Sequence, residues 1–254
     1  APAAGAALMA QQSSQKIVVD GKSVQIEAYS ISGSNYVGLA GGSMGAGNVT
    51  FSCVGNEAAV TATGANAAGI IGCNKGSGCI FSLSNCYNTG DIKGSSESAA
   101  ISGWVGTNAS IQNCYNIGTV TGYSYRNDFY RGSATALNCY STSTTQVNRT
   151  TLEDAESGKL CYSLNSGKTL EPVWYQTIGE DSYPIFDTSH LVVLKSDDGT
   201  YYNVSNLAGD VNSNGILDET DALWIASYLA GETPEGFVVI NADANLDSHI
   251  NVAD

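Results

Sequence analysis

Apolar residues in this chain come in short runs bounded by glycine, serine and asparagine, with few stretches long enough for a helix. Ile17-Val18-Val19 and Val24-Gln25-Ile26 flank Asp20-Gly21, which predicts a hairpin closed by a two-residue turn. Tyr29-Ser30-Ile31 and Tyr36-Val37 continue that pattern, and later apolar pairs sit between glycines, as in Gly69-Ile70-Ile71-Gly72 and Gly103-Trp104-Val105-Gly106. Only two segments carry a helical period. Thr151 to Leu164 opens on Thr with Asp154 three residues later, so it reads as one amphipathic helix. Glu219 to Ala230 puts Ala222, Ile225, Ala226 and Leu229 on one face and ends at Gly231. Between them, Val173–Gly179, Tyr183–Phe186 and Leu191–Leu194 read as short strands, followed by a linker at Tyr202–Ala208.

Repetition decides the architecture of the middle. Asn85-Cys86-Tyr87-Asn88-Thr89-Gly90-Asp91-Ile92 recurs as Asn113-Cys114-Tyr115-Asn116-Ile117-Gly118-Thr119-Val120 and again as Asn138-Cys139-Tyr140-Ser141. Phe51 to Asn56 is a degenerate earlier copy, aligned on Cys53. One such unit cannot bury its own apolar face, and stacking completes the core, so a β-solenoid of about three to four rungs is expected over residues 38 to 145. Cys53, Cys86, Cys114 and Cys139 then form an inward column. Rungs about 4.8 Å apart lie within disulfide reach, but buried thiols packing as small hydrophobes are the favoured reading. Cys73 and Cys79, flanking a glycine-rich loop, are the best candidate pair. These units resemble GLUG-type repeats of bacterial surface and secreted proteins. The resemblance implies an extracellular, adhesive or substrate-associated role and no particular reaction.

Near the C-terminus the recurring positions carry oxygen instead of carbon. Asp210, Asn212, Asn214, Asp218 and Asp221 stand at positions 1, 3, 5, 9 and 12 of a twelve-residue segment with Gly215 at position 6. Ca²⁺ takes about six to eight oxygens, and alternate side chains plus the position-7 carbonyl, here that of Ile216, supply them. A second segment repeats the pattern with Asp243, Asn245, Asp247, Asn251 and Asp254; His249 falls at the carbonyl position and Ser248 replaces the turn glycine. Two calcium ions are the expected cofactors.

Position 12 is Asp in both segments, and no helix-length stretch precedes the first, so each unit is a loop followed by a helix without an entering helix. Residues 209 to 254 in this respect resemble the dockerin family, duplicated calcium-loop modules at the ends of secreted bacterial proteins. The resemblance implies docking to a cohesin module of a scaffoldin in a cellulosome-type complex. It also implies that Glu219 and Thr220, at loop positions 10 and 11, face the cohesin, with Val252 and Ala253 as their counterparts. The chain stops at Asp254 before a second helix, and a longer natural protein is expected.

Composition narrows the remaining readings. Of 254 residues only 13% are charged and 29 are glycine, which suits stacked short strands, and 43% hydrophobic content is enough for a core. The net charge of −14 disfavours nucleic acid. Leu207 onward carries nine Asp or Glu and no Lys or Arg, mutual repulsion that bound cations would relieve. No stretch is long enough to span a bilayer. The small apolar residues 1 to 12, without a basic start, suit a mature terminus after signal cleavage. Zinc is disfavoured, since His190 and His249 are the only histidines. Acids between 38 and 145 are Glu57, Asp91, Glu97 and Asp128, with no spacing that aligns a pair as glycosidases require, and no catalytic residue is assigned. Arg126, Asp128 and Arg131, beside Tyr123, Tyr125, Phe129 and Tyr130, read either as a carbohydrate contact or as an exposed loop with ordinary packing aromatics.

The expected protein is mainly β: an N-terminal segment and hairpin (1–37), a repeat β-solenoid (38–150), a capping segment of helix and strands (151–206) and a small α, dockerin-like calcium module (207–254). Its expected place is a secreted bacterial cell-surface complex, docked to cohesin, with the solenoid binding polysaccharide or a surface. A solenoid polysaccharide lyase or glycoside hydrolase and a self-associating adhesive protein are the alternative readings.

Overall fold

The computed structural model describes residues 14–19, 22–27, 30–39, 49–75, 80–122, 124–143, 145–167, 172–204, 207–245 and 249–254. The chain divides into two compact units, Ala1–Leu152 and Glu153–Asp254.

In the first unit, β1 (Ser14–Val19) and β2 (Lys22–Glu27) form the antiparallel hairpin that the Asp-Gly signal predicts, with Val19 opposite Lys22. The chain then coils through β3 (Ser30–Gly33), β4 (Val49–Asn56), β5 (Ala59–Ala62), β6 (Ala67–Ala68) and β7 (Ile80–Asn88). It continues through β8 (Ile92–Gly94), β9 (Glu97–Gln112), β10 (Tyr115–Asn116), β11 (Val120–Thr121), β12 (Ser124–Leu137), β13 (Tyr140–Ser141) and β14 (Asn148–Arg149). Every pairing from β3 to β14 is parallel: β3, β5, β8 and β11 stack as one sheet, while β4, β7, β9 and β12 stack in another. The result is a β-solenoid of about three turns. It begins at Ser30, so Ser30 to Gly33, read from sequence as hairpin, instead form the first solenoid strand, paired in parallel with β5.

Parallel stacking in register turns each inward position into a column. Ile31, Val60, Ile92 and Val120 align across one sheet, and Phe51, Leu83, Ile111 and Ala136 align across the other. Ile31, Val60, Leu83, Ile92 and Ile111 are fully buried, each stabilising by about 1.5 to 3 kcal/mol through apolar burial. Within these columns runs a polar one. Asn56 Nδ2 donates to Asn88 Oδ1 (2.7 Å), Asn88 Nδ2 to Asn116 Oδ1 (2.7 Å) and Asn116 Nδ2 to Ser141 Oγ (3.4 Å). Asn56, Asn88 and Asn116 also donate to the carbonyls of Ala58, Gly90 and Gly118, which fastens the chain reversal two residues on. Tyr87 stacks on Tyr115 with ring centroids 5.3 Å apart.

The asparagine column also corrects the alignment of the first repeat. Val54 pairs with Cys86, so Cys53 stands opposite Asn85 rather than Cys86. Cys53 adopts the left-handed conformation (φ 54°) shared by Asn85, Asn113 and Asn138, the corner residue of every coil. Asn56 must meet Asn88, and Gly55 must leave room for the Tyr87 ring, whose atoms a Cβ would approach to 2.2 Å. Those two contacts outweigh the coincidence of cysteines. The inward thiol column is Cys86, Cys114 and Cys139, all buried and free; burial pushes the Cys114 thiol well above its ordinary range. Cys79 lies outside the described residues, and with it the Cys73–Cys79 pair.

The glycine two residues after Asn88 and Asn116 answers to close backbone approach. A Cβ on Gly118 would lie 2.2 Å from the Gly90 carbonyl oxygen. Gly118→Ala is expected to destabilise the solenoid by about 1 to 3 kcal/mol, read from the midpoint of denaturant unfolding. An unchanged midpoint would show that the coils can part without loss.

In the second unit the single helix expected from Thr151 is broken into α1 (Leu152–Glu156) and α2 (Lys159–Leu164). Gly158 adopts φ 86°, and a side chain there would strike Ile178 and Val193, so this turn packs too closely for a continuous helix. Of the strands expected over 173 to 186, a single bridge forms, Tyr175 with Ile185. β15 (Val192–Lys195) pairs antiparallel with β16 (Tyr201–Val204), which occupies the start of the expected linker. α3 (Glu219–Leu229) follows, ending at Ala230 with Gly231 at φ 92°, and a short 3-10 turn covers Val239–Ala242. Val238 buries against Val192 and Val204, with Ile240, Leu194 and Tyr175 around them, so the segment joining the two acidic loops packs on the β15–β16 hairpin.

Candidate functional site

The first acidic loop folds around its own side-chain oxygens. Asp210, fully buried, accepts from the amides of Asn214 (3.0 Å) and Gly215 (2.9 Å). Asn212 Oδ1 accepts from Asn214 N (3.0 Å) and Asn214 Oδ1 from Ile216 N (2.8 Å). Asp221, 3% exposed, accepts at Oδ1 from Val211 and Asn212 and at Oδ2 from Asp218 N (3.0 Å). Asp218 in turn caps α3, accepting from Thr220 N at 2.7 Å. Positions 9 and 12 of the loop are therefore also the capping box of the helix that follows. Gly215, at position 6, takes φ 81° with open space around it, so the turn demands glycine for its backbone conformation alone.

The second loop repeats this frame where it is described. Asp254 accepts from Asn245 N (3.3 Å) and Asn251 N (2.7 Å), as Asp221 does from Asn212 and Asp218. Asn251 Oδ1 accepts from Ala253 N (2.9 Å), matching the Asp218 cap. The Asn251 side-chain Nδ2 donates to the His249 carbonyl (3.3 Å). Asp243 is 4% exposed; Asp247 and Ser248 lie outside the described residues. The two loops are joined by Asn241, whose Nδ2 donates to the Asp210 carbonyl (2.6 Å) and whose carbonyl accepts from Gly209 (2.7 Å). Val211, Ile225 and Ala242 pack between them, with Trp224, Phe237 and Ile250 at the edge. Asn241 precedes the second loop and carries no loop-position signal, so the sequence pattern misses it.

The residues expected to face a partner are open to solvent. Glu219 and Thr220 are exposed at the start of α3, Val252 is 97% exposed and Ala253 is exposed. Of the expected helix face, only Ile225 is buried; Ala222, Ala226 and Leu229 are exposed, as are Leu223, Ile216 and Leu217. The helix instead turns Asp221 and Ile225 inward, because the loop's position-12 carboxylate has to reach the amides of Val211 and Asn212.

Chemically these loops offer hard oxygen donors. Asp210 and Asp221 make no ion pair among the described residues, and their partners are backbone N–H groups. No group of three or more His, Cys, Asp or Glu side chains is gathered at metal-holding distance among the described residues. The loop pattern relies equally on Asn oxygens and a main-chain carbonyl, and such an all-oxygen set suits a hard divalent cation.

On the solenoid, the described acids have structural partners. Glu57 accepts from Tyr87 OH (2.8 Å), Asp91 from Thr119 N (3.2 Å), and Glu97 pairs with Arg131 (2.9 Å). The expected cluster around Asp128 lies mostly outside the described side chains. Phe129 is fully buried, Arg131 turns to Glu97 and Asn66, and the side chains of residues 123 to 128 are outside those described. Arg131 instead lies 4.2 Å from the centroid of the half-buried Trp104 ring, with Lys75 Nζ at 5.7 Å from the same ring. Residues 104 and 131 are separated by a coil of the solenoid, which is why no local spacing in the sequence announces their meeting. Comparison of the chain with protein-family models, with curated proteins and with solved structures finds no match.

Proposed function

We propose that residues 207 to 254 are a dockerin-like module that binds two calcium ions and docks this protein to a cohesin, and that the β-solenoid is the carbohydrate- or surface-binding part of a secreted bacterial protein. The observation that carries the reading is the shared frame of the two loops: in each, the position-12 carboxylate accepts the amides of positions 3 and 9, and position 9 accepts that of position 11. Asp210, Asn212, Asn214, Asp218, Asp221 and the Ile216 carbonyl would hold one ion. Asp243, Asn245, Asp247, Asn251, Asp254 and the His249 carbonyl would hold the other. A bound divalent cation neutralises buried carboxylates and fixes the loop that caps α3. Glu219 and Thr220, exposed at that helix start, are then presented to the partner.

The test is capture of the full chain by a panel of immobilised cohesin modules. Binding is expected with calcium, and loss is expected in chelator, in Asp210→Ala and in the double variant Glu219→Arg with Thr220→Arg. Calcium uptake without capture by any cohesin would overturn the docking role while leaving the metal site standing.

A further inference from the structure

The acidity of this protein is not spread evenly. Residues 1 to 152 hold seven Lys or Arg and six Asp or Glu, whereas residues 153 to 254 hold three and eighteen. The solenoid unit is thus close to neutral, and the electrostatic objection to an anionic ligand applies to the other unit. Among the described residues of the solenoid, positive charge gathers at Trp104. Lys75 and Arg131 share its ring at 5.7 and 4.2 Å, and Glu97 is paired there with Arg131. Lys75 makes no ion pair among the described residues.

We propose that Lys75 and Arg131, held against Trp104, form a carboxylate-binding site for a uronate-bearing polysaccharide. The proposal rests on the carbohydrate-binding reading of the solenoid and names its ligand class. Arg131 is pre-positioned: its Nη1 donates to Asn66 Oδ1 (2.8 Å) and Glu97 Oε2 (2.9 Å), and its guanidinium lies against the indole. A cation fixed on an aromatic face loses little freedom when an anion arrives, and a carboxylate that meets such a cation gains a charge-assisted hydrogen bond. The surroundings favour a sugar over a polyphosphate. Farther along β7, β9 and β12, the outward positions Ser82, Ser110 and Thr135 align in one hydroxyl row, a surface that meets sugar hydroxyls. A phosphate backbone calls for a run of Lys or Arg, which this row lacks.

The test is calorimetric titration of the full chain, in chelator so that calcium cannot bridge a uronate to the acidic loops. The probes are an oligogalacturonate, its fully methyl-esterified form and a neutral β-glucan oligosaccharide. Binding of the acidic oligosaccharide is expected, with methyl esterification or Lys75→Met each weakening it about tenfold, the loss of roughly one charge-assisted contact. Lys75 makes no ion pair among the described residues, so its replacement should cost the fold no more than its contact with the Trp104 ring and move the melting temperature little. Equal affinity for the acidic and esterified forms, or a Lys75→Met variant that binds as the parent does, would sink the carboxylate site and leave a carbohydrate-binding solenoid. Competition by inorganic phosphate at concentrations equal to galacturonate would reduce it to a general anion site and overturn the uronate assignment. Binding of none of the three sugars would overturn both.

Discussion

Asn88→Ala should lower the unfolding free energy of the solenoid unit by about 3 to 5 kcal/mol, the largest effect expected from any single truncation in this chain. Asn88 is fully buried, accepts from Asn56, and donates to Asn116 and to the Gly90 carbonyl, all at 2.7 to 2.8 Å. Alanine removes these three bonds and leaves Asn116 Oδ1 and the Gly90 carbonyl facing a void, so the desolvation of stranded acceptors adds to the lost bonds. The neighbouring coils cannot close the gap, because Gly118 already lies against Gly90 at the limit of backbone approach. Asn88→Asp should be worse still: a carboxylate has no N–H to offer Asn116 Oδ1 and would bury a charge. Asn108→Ala, at an exposed position of β9, is the control and should change stability by less than about 0.5 kcal/mol. Equilibrium denaturation of the three variants measures this. A loss under about 1 kcal/mol for Asn88→Ala would mean that the ladder is incidental to the fold.

The second large effect concerns the acidic loops. At calcium about a hundredfold above the dissociation constant, each site is expected to stabilise the second unit by about 2.7 kcal/mol. For a unit of this size each kcal/mol moves the melting temperature by roughly 4 to 8 °C, so two sites shift it by well over 10 °C. Asp210→Ala should remove the contribution of the first loop, since Asp210 is its buried position-1 carboxylate and also organises the turn at Asn214 and Gly215. The gain should not stop at the loops. Val238 and Ile240 pack on Val192, Val204 and Leu194, so calcium should slow hydrogen exchange in β15 and β16 as well. A calcium-insensitive melt of the second unit would defeat the metal assignment. Protection confined to residues 207 to 254 would defeat the coupling to the hairpin.

Both effects trace to patterns that recur in the sequence, yet neither was fully legible there. The repeats announced a solenoid because stacking is the only way such short units bury their apolar face, and Cys86, Cys114 and Cys139 fell inward as expected. The cysteine is the more conspicuous repeated residue, but the asparagine two residues later makes the specific bonds. Aligning the first copy on Cys53 consequently misplaced it by one residue. A one-residue slip reverses every side chain between core and surface, and the buried Asn56–Asn88 bond forbids it. In the acidic loops the helix from Glu219 and the Gly231 stop are local signals, and the structure keeps them. The start of the expected linker is instead strand, because Tyr201 to Val204 find a partner in Val192 to Lys195, a pairing that no local spacing announces.

What the sequence determined by itself was whatever rests on spacing along the chain: the hairpin at Asp20-Gly21, the existence of stacked coils, the capped helix after the first acidic loop and the oxygen positions of both loops. These depend on turn geometry and on contacts within a dozen residues or between identical copies. What only the tertiary structure decided was which equivalent positions meet and what fills the space between them. The asparagine column, the corner role of Cys53 and the gathering of Lys75, Trp104 and Arg131 all depend on parallel register between coils some thirty residues apart, and the break at Gly158 depends on how closely Ile178 and Val193 pack on that turn. That register is set by a few buried hydrogen bonds and by the room glycine leaves, quantities that exist only once the coils are stacked.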